Sequence, residues 1–276
     1  MITHGQIERW LAEDVGHHDV TNDVPGETTG RLVAKESGTV AGLKAGRAVF
    51  EYLGVSVLET AASGTVIEPG EVVLRVEGPA RDVLRGERVA VNLVGHASGI
   101  ATRTAAVVDA ARVESEHVTI AATRKTTPGL RGLEKRAVVA GGGDTHRLDL
   151  SHMVMIKDNH IAEMGLERAI DHFRETASFS TKLDVEVEST DDAIRAANAG
   201  ADIILLDNFT PEELREAVDT LECDLEPAVA ERVLTEASGG ITLETVPEYA
   251  ATGVDIISMG SLTHSAPSLD LSFRTG

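Results

Sequence analysis

Cysteine and lysine are both scarce in this chain of 276 residues. The single cysteine, Cys223, excludes an intramolecular disulfide and a CxxC metal site, which is typical of proteins in a reducing cytoplasm. No apolar run approaches the ~20 residues that a membrane-spanning helix needs, and the first residues lack a signal-peptide pattern. We therefore expect a cytoplasmic globular protein, and a hydrophobic content of 42% is enough for a substantial core.

Positive charge is the second scarcity. The chain carries 45 acidic and 25 basic residues, which gives a formal net charge of −20. Such a charge repels nucleic acids and anionic membranes, so neither is expected as a partner. An acidic surface that is also poor in lysine indicates adaptation to high salt, where screening removes the self-repulsion of the surface. We therefore expect a halophilic protein.

One segment nevertheless gathers positive charge. From Thr123 to His160 there are seven basic and four acidic residues, a local charge of about +3 by counting. The basic residues are Arg124, Lys125, Arg131, Lys135, Arg136, Arg147 and Lys157. In so acidic a chain, this group favours a binding site for an anion over a set of ordinary surface ion pairs.

The first third of the chain has the pattern of a mixed α/β domain. An amphipathic helix pattern near Trp10 precedes short β-rich runs, and EPGE at 68–71 between two apolar alternations predicts a β-hairpin. A long helical pattern then extends from about Asp82 to Ala111. We place the boundary of this first domain near residue 105.

A different pattern begins near residue 118. Apolar runs end in polar residues, and helical patterns lie between several of them, which predicts a parallel sheet with right-handed crossovers. The runs are VTIAATRK, MVMIKDN, LDVEVES, ADIILLDN, RVLTEASGG and VDIISMGS. Functional residues at the carboxyl ends of parallel strands indicate an α/β barrel. With about six strands instead of eight, either two strands escape the pattern or the barrel is incomplete.

Cationic side chains follow the first two of these runs. Arg124 and Lys125 end one strand, His146 and Arg147 follow the glycines at 141–143, and Lys157 ends the next strand. Arginine binds a planar carboxylate through two parallel hydrogen bonds. Several cations at one strand edge therefore predict a ligand with more than one carboxylate or phosphate group.

Carboxylates follow the next two strands. Glu186 and Glu188 alternate on one strand and so share a face, and Asp207 ends a later strand. Carboxylates beside a cationic site indicate either a hydrated Mg²⁺ or the hydroxyl groups of a sugar phosphate. The alternative is a buried carboxylate that neighbouring backbone groups satisfy.

Small residues follow the last two strands. ASGG at 237–240 and MGS at 259–261 would let backbone N–H groups approach a phosphate, and barrels often bind phosphate in these loops. His146, His160 and His264 lie near strand ends, but no closely spaced histidine pair indicates zinc.

Taken together, these segments resemble the quinolinate phosphoribosyltransferase family almost from end to end. The resemblance lies in EDVGHHDVT, ERVAVNLVGHASGIATRT, ATRKTTPGLRGLEKRAVVAGGGDTHR, MIKDNHI, VEVE, GADIILLDN, EASGGI and SMGSLTHS. It implies conversion of quinolinate and phosphoribosyl pyrophosphate to nicotinate mononucleotide, pyrophosphate and CO₂. It also implies an N-terminal α/β sandwich (1–105, with 265–276 packed on it), an incomplete α/β barrel (106–264), Mg²⁺ dependence and a homodimer or a higher oligomer built from dimers.

The resemblance also implies roles for individual residues. The quinolinate pocket would comprise Thr123, Arg124, Lys125, His146, Arg147 and Lys157. Arg88 would be donated across the dimer interface, and Glu186 and Asp207 would handle the ribose and Mg²⁺. The phosphate-binding set would comprise Ser238, Gly239, Gly240, Met259, Gly260 and Ser261, with His264 also contacting substrate. Lys125 or Lys157 would assist the loss of CO₂.

Two other functions remain open from the sequence. One is a related phosphoribosyltransferase that uses nicotinate or another aromatic acid, although the several cations favour a diacid. The other is a non-catalytic binding protein with the same fold, which the retained Glu186 and Asp207 disfavour. An assay of quinolinate against nicotinate separates these possibilities.

Overall fold

The structure is a computed structural model that describes residues 2–276. Its strands are β1 (Glu27–Ala34), β2 (Gly38–Thr39), β3 (Ser56–Thr60), β4 (Val66–Ile67), β5 (Val72–Pro79), β6 (Thr119–Ala122), β7 (Val154–Ile156), β8 (Leu183–Val187), β9 (Ile203–Asp207), β10 (Leu234–Ser238), β11 (Ile256–Met259) and β12 (Leu271–Thr275). Its helices are α1 (His4–Val15), α2 (Leu43–Tyr52), α3 (Ala80–Arg112), α4 (Arg131–Ala140), α5 (Asp158–Met164), α6 (Leu166–Thr176), α7 (Thr190–Ala199), α8 (Pro211–Asp224), α9 (Pro227–Ala230), α10 (Val246–Ala250) and α11 (Ser261–His264).

The described chain divides into two compact units. The first contains the residues up to Ala105, Pro128–Gly142 and Ser265–Gly276, and the second contains Ala106–Thr127 and Gly143–His264. Helix α3 runs through the division, and its observed extent confirms the long helix that the sequence predicts. No helix within residues 2–276 combines the length and the apolar character that a membrane crossing requires.

The first unit is built on an antiparallel sheet. Its strand order is β12-β1-β5-β3, so the last strand of the chain pairs with the first. Buried apolar side chains such as Leu32, Leu74 and Phe50 form its core. Gly99 of α3 permits the C-terminal segment to pack closely, because a Cβ there would lie 1.8 Å from the carbonyl oxygen of Pro267.

The predicted hairpin at EPGE is wrong. The Glu71 N–H does donate to the Glu68 carbonyl at 3.1 Å, so a turn is present. However, β4 pairs with β2 in a separate two-stranded sheet, whereas β5 pairs with β1 and β3. A turn motif identifies the reversal of the chain, but it does not determine which strand becomes the neighbour.

The second unit contains a six-stranded parallel sheet. The strand order is β6-β11-β10-β9-β8-β7, and the connections between β7 and β11 run through helices. This arrangement confirms the α/β class and the incomplete barrel of six strands. A core cluster of buried apolar residues, including Val185, Leu206 and Ile257, joins one face of the sheet to its helices.

Successive side chains of β8 point to opposite faces of the sheet, and this alternation determines which residues face the interior of the barrel. Leu183, Val185 and Val187 belong to the apolar cluster, and the residues between them therefore point to the opposite face. Those residues are Asp184 and Glu186. A parallel arrangement brings the carboxyl ends of all six strands to one edge, where the polar residues predicted from the sequence meet.

Candidate active site

The carboxyl edge of the parallel sheet brings together most of the predicted site residues. Ser238 at the end of β10 is paired in register with Asp207 on β9 and with Ser258 on β11. Met259 is paired with Ala122, directly before Thr123. The hydroxyl group of Thr263 donates to the Lys125 carbonyl at 2.6 Å, which fixes the segment after β6 against α11.

Lys157 and Glu186 form an ion pair at this edge. The Lys157 ammonium group donates to the Glu186 carboxylate, and both side chains are partly exposed. The adjacent His160 has a structural role, because its Nδ1 accepts from the Lys157 backbone N–H at 3.1 Å at the start of α5. Lys157 is therefore held at the strand edge with its charge balanced by Glu186.

Two arginines of the second unit carry buried N–H groups that have no partner among residues 2–276. They are Nε and Nη1 of Arg124 and Nε of Arg147. Arg147 also donates from Nη2 to the Met155 sulfur at 3.2 Å, a weak acceptor. Burial lowers the pKa of Arg147, and the like charge of Arg124 lowers it further. Donors that are already removed from water bind an anionic ligand without a further desolvation cost.

Two buried carboxylates that the sequence did not predict, Asp184 and Glu236, lie beside the predicted residue His146. Nε2 of His146 lies 2.9 Å from the carboxylate of Glu236 and 3.8 Å from that of Asp184. Both carboxylates are 0% exposed. Burial raises the pKa of Asp184 well above its usual range, the neighbouring charge of Glu236 raises it further, and Arg147 opposes this shift.

A sequence signal for these two carboxylates does exist. Asp184 lies two residues before Glu186 on the same strand and so shares its face, and Glu236 lies two residues before Ser238 in the same way. The side chains of His146, Asp184 and Glu236 have ligand atoms within 4.8 Å of one another and so could hold a metal ion. The hydrogen bond between His146 and Glu236, with Arg147 acting on Asp184, favours a network of polar contacts within the protein instead.

Asp207 lies beside a small acidic cavity. The cavity has a volume of about 270 Å³, and its lining includes Glu188, Glu213 and Glu216. Burial raises the pKa of Asp207, the charge of Glu186 adds to the effect, and Lys157 opposes it. A cation or a set of sugar hydroxyl groups beside Asp207 would stabilise its charged form.

Two glycines permit close approaches between neighbouring loops. Gly239 has φ +106°, and a Cβ there would lie 2.3 Å from Oδ1 of Asn208. A Cβ on Gly260 would lie 2.8 Å from Cδ of Lys125 and 3.3 Å from Cδ2 of His264. Oγ of Ser261 is buried without a partner among the described residues, and it therefore offers a hydroxyl group beside this loop.

Several predicted residues lie elsewhere. The Met259 side chain is 2% exposed within the apolar core, so only its backbone remains available to a ligand. Arg88 belongs to the first unit, where its side chain is 60% exposed with Nη2 3.8 Å from the Glu87 carboxylate. The remaining cations of the basic segment, Arg131, Lys135 and Arg136, lie on α4, which also belongs to the first unit.

An incomplete α/β barrel with cations, carboxylates and glycine loops at its strand ends defines an enzyme for small anionic substrates. The model of the C-terminal domain of quinolinate phosphoribosyl transferase matches residues 100–274, and the model of its N-terminal domain matches residues 18–98. The chain belongs to the quinolinate phosphoribosyl transferase family.

Curated relatives and solved structures agree with this assignment. A probable carboxylating nicotinate-nucleotide pyrophosphorylase of Methanothermobacter thermautotrophicus is 45% identical, over 97% of this chain and 97% of the relative. The carboxylating nicotinate-nucleotide pyrophosphorylase of Homo sapiens is 42% identical, over 97% of this chain and 90% of the relative. The crystal structure of NadC from Streptococcus pyogenes matches with a TM-score of 0.89 and 39% identity, covering 99% of this chain and 95% of that one.

Proposed function

We propose that this enzyme transfers the phosphoribosyl group of phosphoribosyl pyrophosphate to quinolinate with loss of CO₂. The products are nicotinate mononucleotide and pyrophosphate, so the reaction belongs to the de novo synthesis of NAD. Relatives that are named for this activity are 45% and 42% identical and match 97% of the chain. Their activity fits the chemistry of the residues at the strand ends.

One observation carries the choice of quinolinate. Arg124 and Arg147 carry buried, unpartnered N–H groups, and Asp184 acts on Arg147 and lies 3.8 Å from His146. Quinolinate has two adjacent carboxylates, and a dianion requires more than one cationic partner when it leaves water. We therefore place the substrate against these two arginines, with Lys125 and Thr123 at the edge of the pocket.

The chemistry requires a second set of residues. The pyridine nitrogen forms a bond to C1 of the ribose while the bond from C1 to pyrophosphate breaks, and positive charge develops on the sugar. Glu186 and Asp207 are the carboxylates that would stabilise this charge. The C2 carboxylate then leaves as CO₂, and its electron pair remains on the ring carbon, which takes up a proton. Lys125 and Lys157 are the lysines that would assist this step.

Magnesium fits the acidic side of the site. Burial and the charge of Glu186 raise the pKa of Asp207, a cation beside it would favour its charged form, and the adjacent cavity has room for a hydrated ion. Glu186 and Asp207 would hold Mg²⁺, directly or through water, and the ion would neutralise the pyrophosphate group. The phosphate groups would lie against the backbone of Ser238–Gly240 and Met259–Ser261, with His264 nearby.

Arg88 suggests that the active form is a dimer. Its side chain is largely exposed in the first unit, which does not contain the strand ends. We propose that a second copy of the chain supplies this arginine to the site, in a homodimer or a larger assembly of dimers. Two copies would then form two sites, each with residues from both chains.

The surface charge supports a halophilic enzyme that works in the cytoplasm. A formal charge of −20 with six lysines is self-repelling in dilute buffer, and potassium ions at molar concentration would screen it. We expect the melting temperature to rise between 0.1 and 2 M KCl. The Debye length falls roughly threefold or more over this interval, so the surface charges are screened much more strongly. A level or falling melting temperature would contradict the salt adaptation.

A substrate comparison tests the proposed function. The enzyme is incubated with phosphoribosyl pyrophosphate, Mg²⁺ and either quinolinate or nicotinate, and released pyrophosphate is measured. Quinolinate should support turnover, with kcat/KM at least about 100-fold above that for nicotinate, since the second carboxylate has charged partners. Preferential use of nicotinate would indicate the nicotinate enzyme, equal use of both acids would contradict the selection of a diacid, and pyrophosphate release from neither would indicate a binding protein.

A further inference from the structure

Glu236 occupies a position where a carboxylate is costly. It lies on β10 in the middle of the parallel sheet, its exposed fraction is 0%, and its register partners on the adjacent strands are the apolar residues Leu205 and Ile256. A buried charge is retained only when it is paired or hydrogen-bonded. The hydrogen-bond partner of Glu236 is Nε2 of His146, at 2.9 Å.

Asp184 is the other carboxylate near His146, but it lies too far from Nε2 to accept a hydrogen bond. Asp184 approaches the same nitrogen only to 3.8 Å, beyond hydrogen-bond distance. The other carboxylate oxygen of Glu236, Oε1, is buried and has no partner among residues 2–276. The contact with His146 is therefore the interaction that accounts for a carboxylate at position 236.

The backbone of His146 is also constrained. Its φ is +50°, in the left-handed region that residues other than glycine seldom adopt. Its N–H donates to Oδ1 of Asp144 at 2.6 Å, and the Asp144 carbonyl accepts from the Ala122 N–H at the end of β6 at 3.0 Å. The loop is thus attached to one strand through its backbone and to another through the ring of His146.

We propose that Glu236 is a positioning residue for quinolinate. It accepts a hydrogen bond from Nε2–H of His146, which fixes the orientation of the ring. The other ring nitrogen, Nδ1, then faces the diacid beside Arg124 and Arg147, and it donates to a carboxylate of the diacid when the ring takes up a second proton as the ligand binds. This role rests on the function proposed above, because that function places His146 in the quinolinate pocket.

The first test measures the ring of His146 in the unmodified enzyme. Long-range ¹H–¹⁵N spectra of the protein, assigned by the signals that disappear in His146→Ala, report which ring nitrogens carry protons. We expect Nε2 of His146 to carry a proton in the absence of substrate. In Glu236→Leu the proton should no longer favour Nε2 over Nδ1. An unprotonated Nε2 in the unmodified enzyme would overturn the proposal.

The second test measures the binding of quinolinate by calorimetry. Glu236→Leu should weaken it about tenfold or more, and Glu236→Gln, which keeps an acceptor of the same shape, should weaken it less. In the His146→Ala background, Glu236→Leu should change quinolinate binding by less than about twofold, because the residue acts through the ring. Binding of phosphoribosyl pyrophosphate should stay within about twofold in every variant.

The outcomes separate this proposal from the function on which it rests. Equal weakening of both substrates, or additive losses in the double variant, would show that Glu236 only supports the fold. If Glu236→Leu does not fold, the Gln variant and the ring spectra still decide whether the pairing exists. Failure of the unmodified enzyme to bind quinolinate would refute the proposed function, whereas the ring spectra would still report on Glu236 and His146.

Discussion

Arg147 is partly buried, and its Nε has no hydrogen-bond partner among the described residues. Burial and the neighbouring Arg124 both lower its pKa, so its charge is held at a cost that an anionic ligand would relieve. Asp184 is the buried carboxylate that offsets part of this charge. The interior of the barrel therefore contains both arginine and carboxylate side chains, and the unpartnered arginine N–H groups can still bind an anionic ligand.

Replacing Arg147 should mainly affect quinolinate. Arg147→Ala removes a charged hydrogen-bond donor worth about 1.5–3 kcal/mol, so the KM for quinolinate should rise about ten- to a hundredfold. The KM for phosphoribosyl pyrophosphate should change little. Arg147→Lys is the matched control, and it should recover only part of the loss because lysine lacks the bidentate geometry. Steady-state kinetics with each substrate varied would show this, and equal effects on both KM values would contradict it.

The charged carboxylate of Asp207 should reduce the free energy of unfolding at neutral pH. A carboxyl group with a raised pKa in the folded protein holds its proton more tightly there than in the unfolded chain. Its stabilising contribution is therefore complete below the unfolded pKa and is lost as the pH rises through the folded pKa. Asp207→Asn removes this dependence, so its melting temperature should gain on that of the unmodified enzyme as the pH rises toward 7.

Melting curves across that pH interval provide the measurement. Turnover of phosphoribosyl pyrophosphate should fall strongly in Asp207→Asn, because the carboxylate that would act on the sugar and Mg²⁺ is gone. Glu175→Gln, at an exposed position outside the site, is the control for removal of one negative charge. A gain in melting temperature that did not depend on pH would contradict this assignment.

At the scale of elements, the glycine loops after β10 and β11 should respond differently to the same substitution. Gly239→Ala forces a Cβ onto a residue at φ +106° and against Asn208, with 2.9 Å to its backbone nitrogen. The strain of about 1–3 kcal/mol should lower the melting temperature by roughly 2–8 °C. Gly260→Ala meets chiefly the flexible side chain of Lys125, which can move aside.

Gly260→Ala should therefore reduce activity more than stability. Displacement of Lys125 should lower kcat/KM about tenfold, while the melting temperature changes by less than about 2 °C. Gly132→Ala on α4 is the control, since its Cβ would meet only the end of the Arg136 side chain at 3.5 Å. Thermal melts and kinetics on the three variants test the distinction, and an inactive but equally unstable Gly260→Ala would contradict it.

The sequence predicts strands and strand ends better than it predicts pairing. Apolar runs that end in polar residues identify all six strands of the parallel sheet, because strands that are buried on both faces are apolar along their length. The pairing of β4 with β2 depends on packing within the first unit and was missed at EPGE. Asp184 and Glu236 were missed because a charged residue on a buried strand resembles any other polar residue until its partners are known.

At the scale of the whole molecule, a shared site would make two inactive variants complement each other. Arg88→Ala and Asp207→Ala should each be nearly inactive as homodimers. In a mixed dimer, one site carries both substitutions and the other carries neither. Statistical mixing of equal amounts should therefore restore about a quarter of the normal activity per dimer site.

A second pair of variants provides the control for this mixing experiment. A mixture of Arg147→Ala and Asp207→Ala should show no activity beyond the sum of the two homodimers, because both residues belong to the second unit of the same chain. Activity should be measured after the two chains have been unfolded and refolded together, so that the subunits mix. Failure of the Arg88 mixture to recover activity would place Arg88 in the site of its own chain or outside any site.

The fate of the quinolinate carboxylates tests the central claim most directly. Quinolinate labelled with ¹³C in the C2 carboxyl group is incubated with the enzyme, phosphoribosyl pyrophosphate and Mg²⁺, and the products are followed by mass spectrometry. We predict one labelled CO₂ for each pyrophosphate released, and nicotinate mononucleotide without the label. Pyrophosphate release with the label retained in the nucleotide, or no pyrophosphate release at all, would contradict the assignment of this enzyme as a decarboxylating phosphoribosyltransferase.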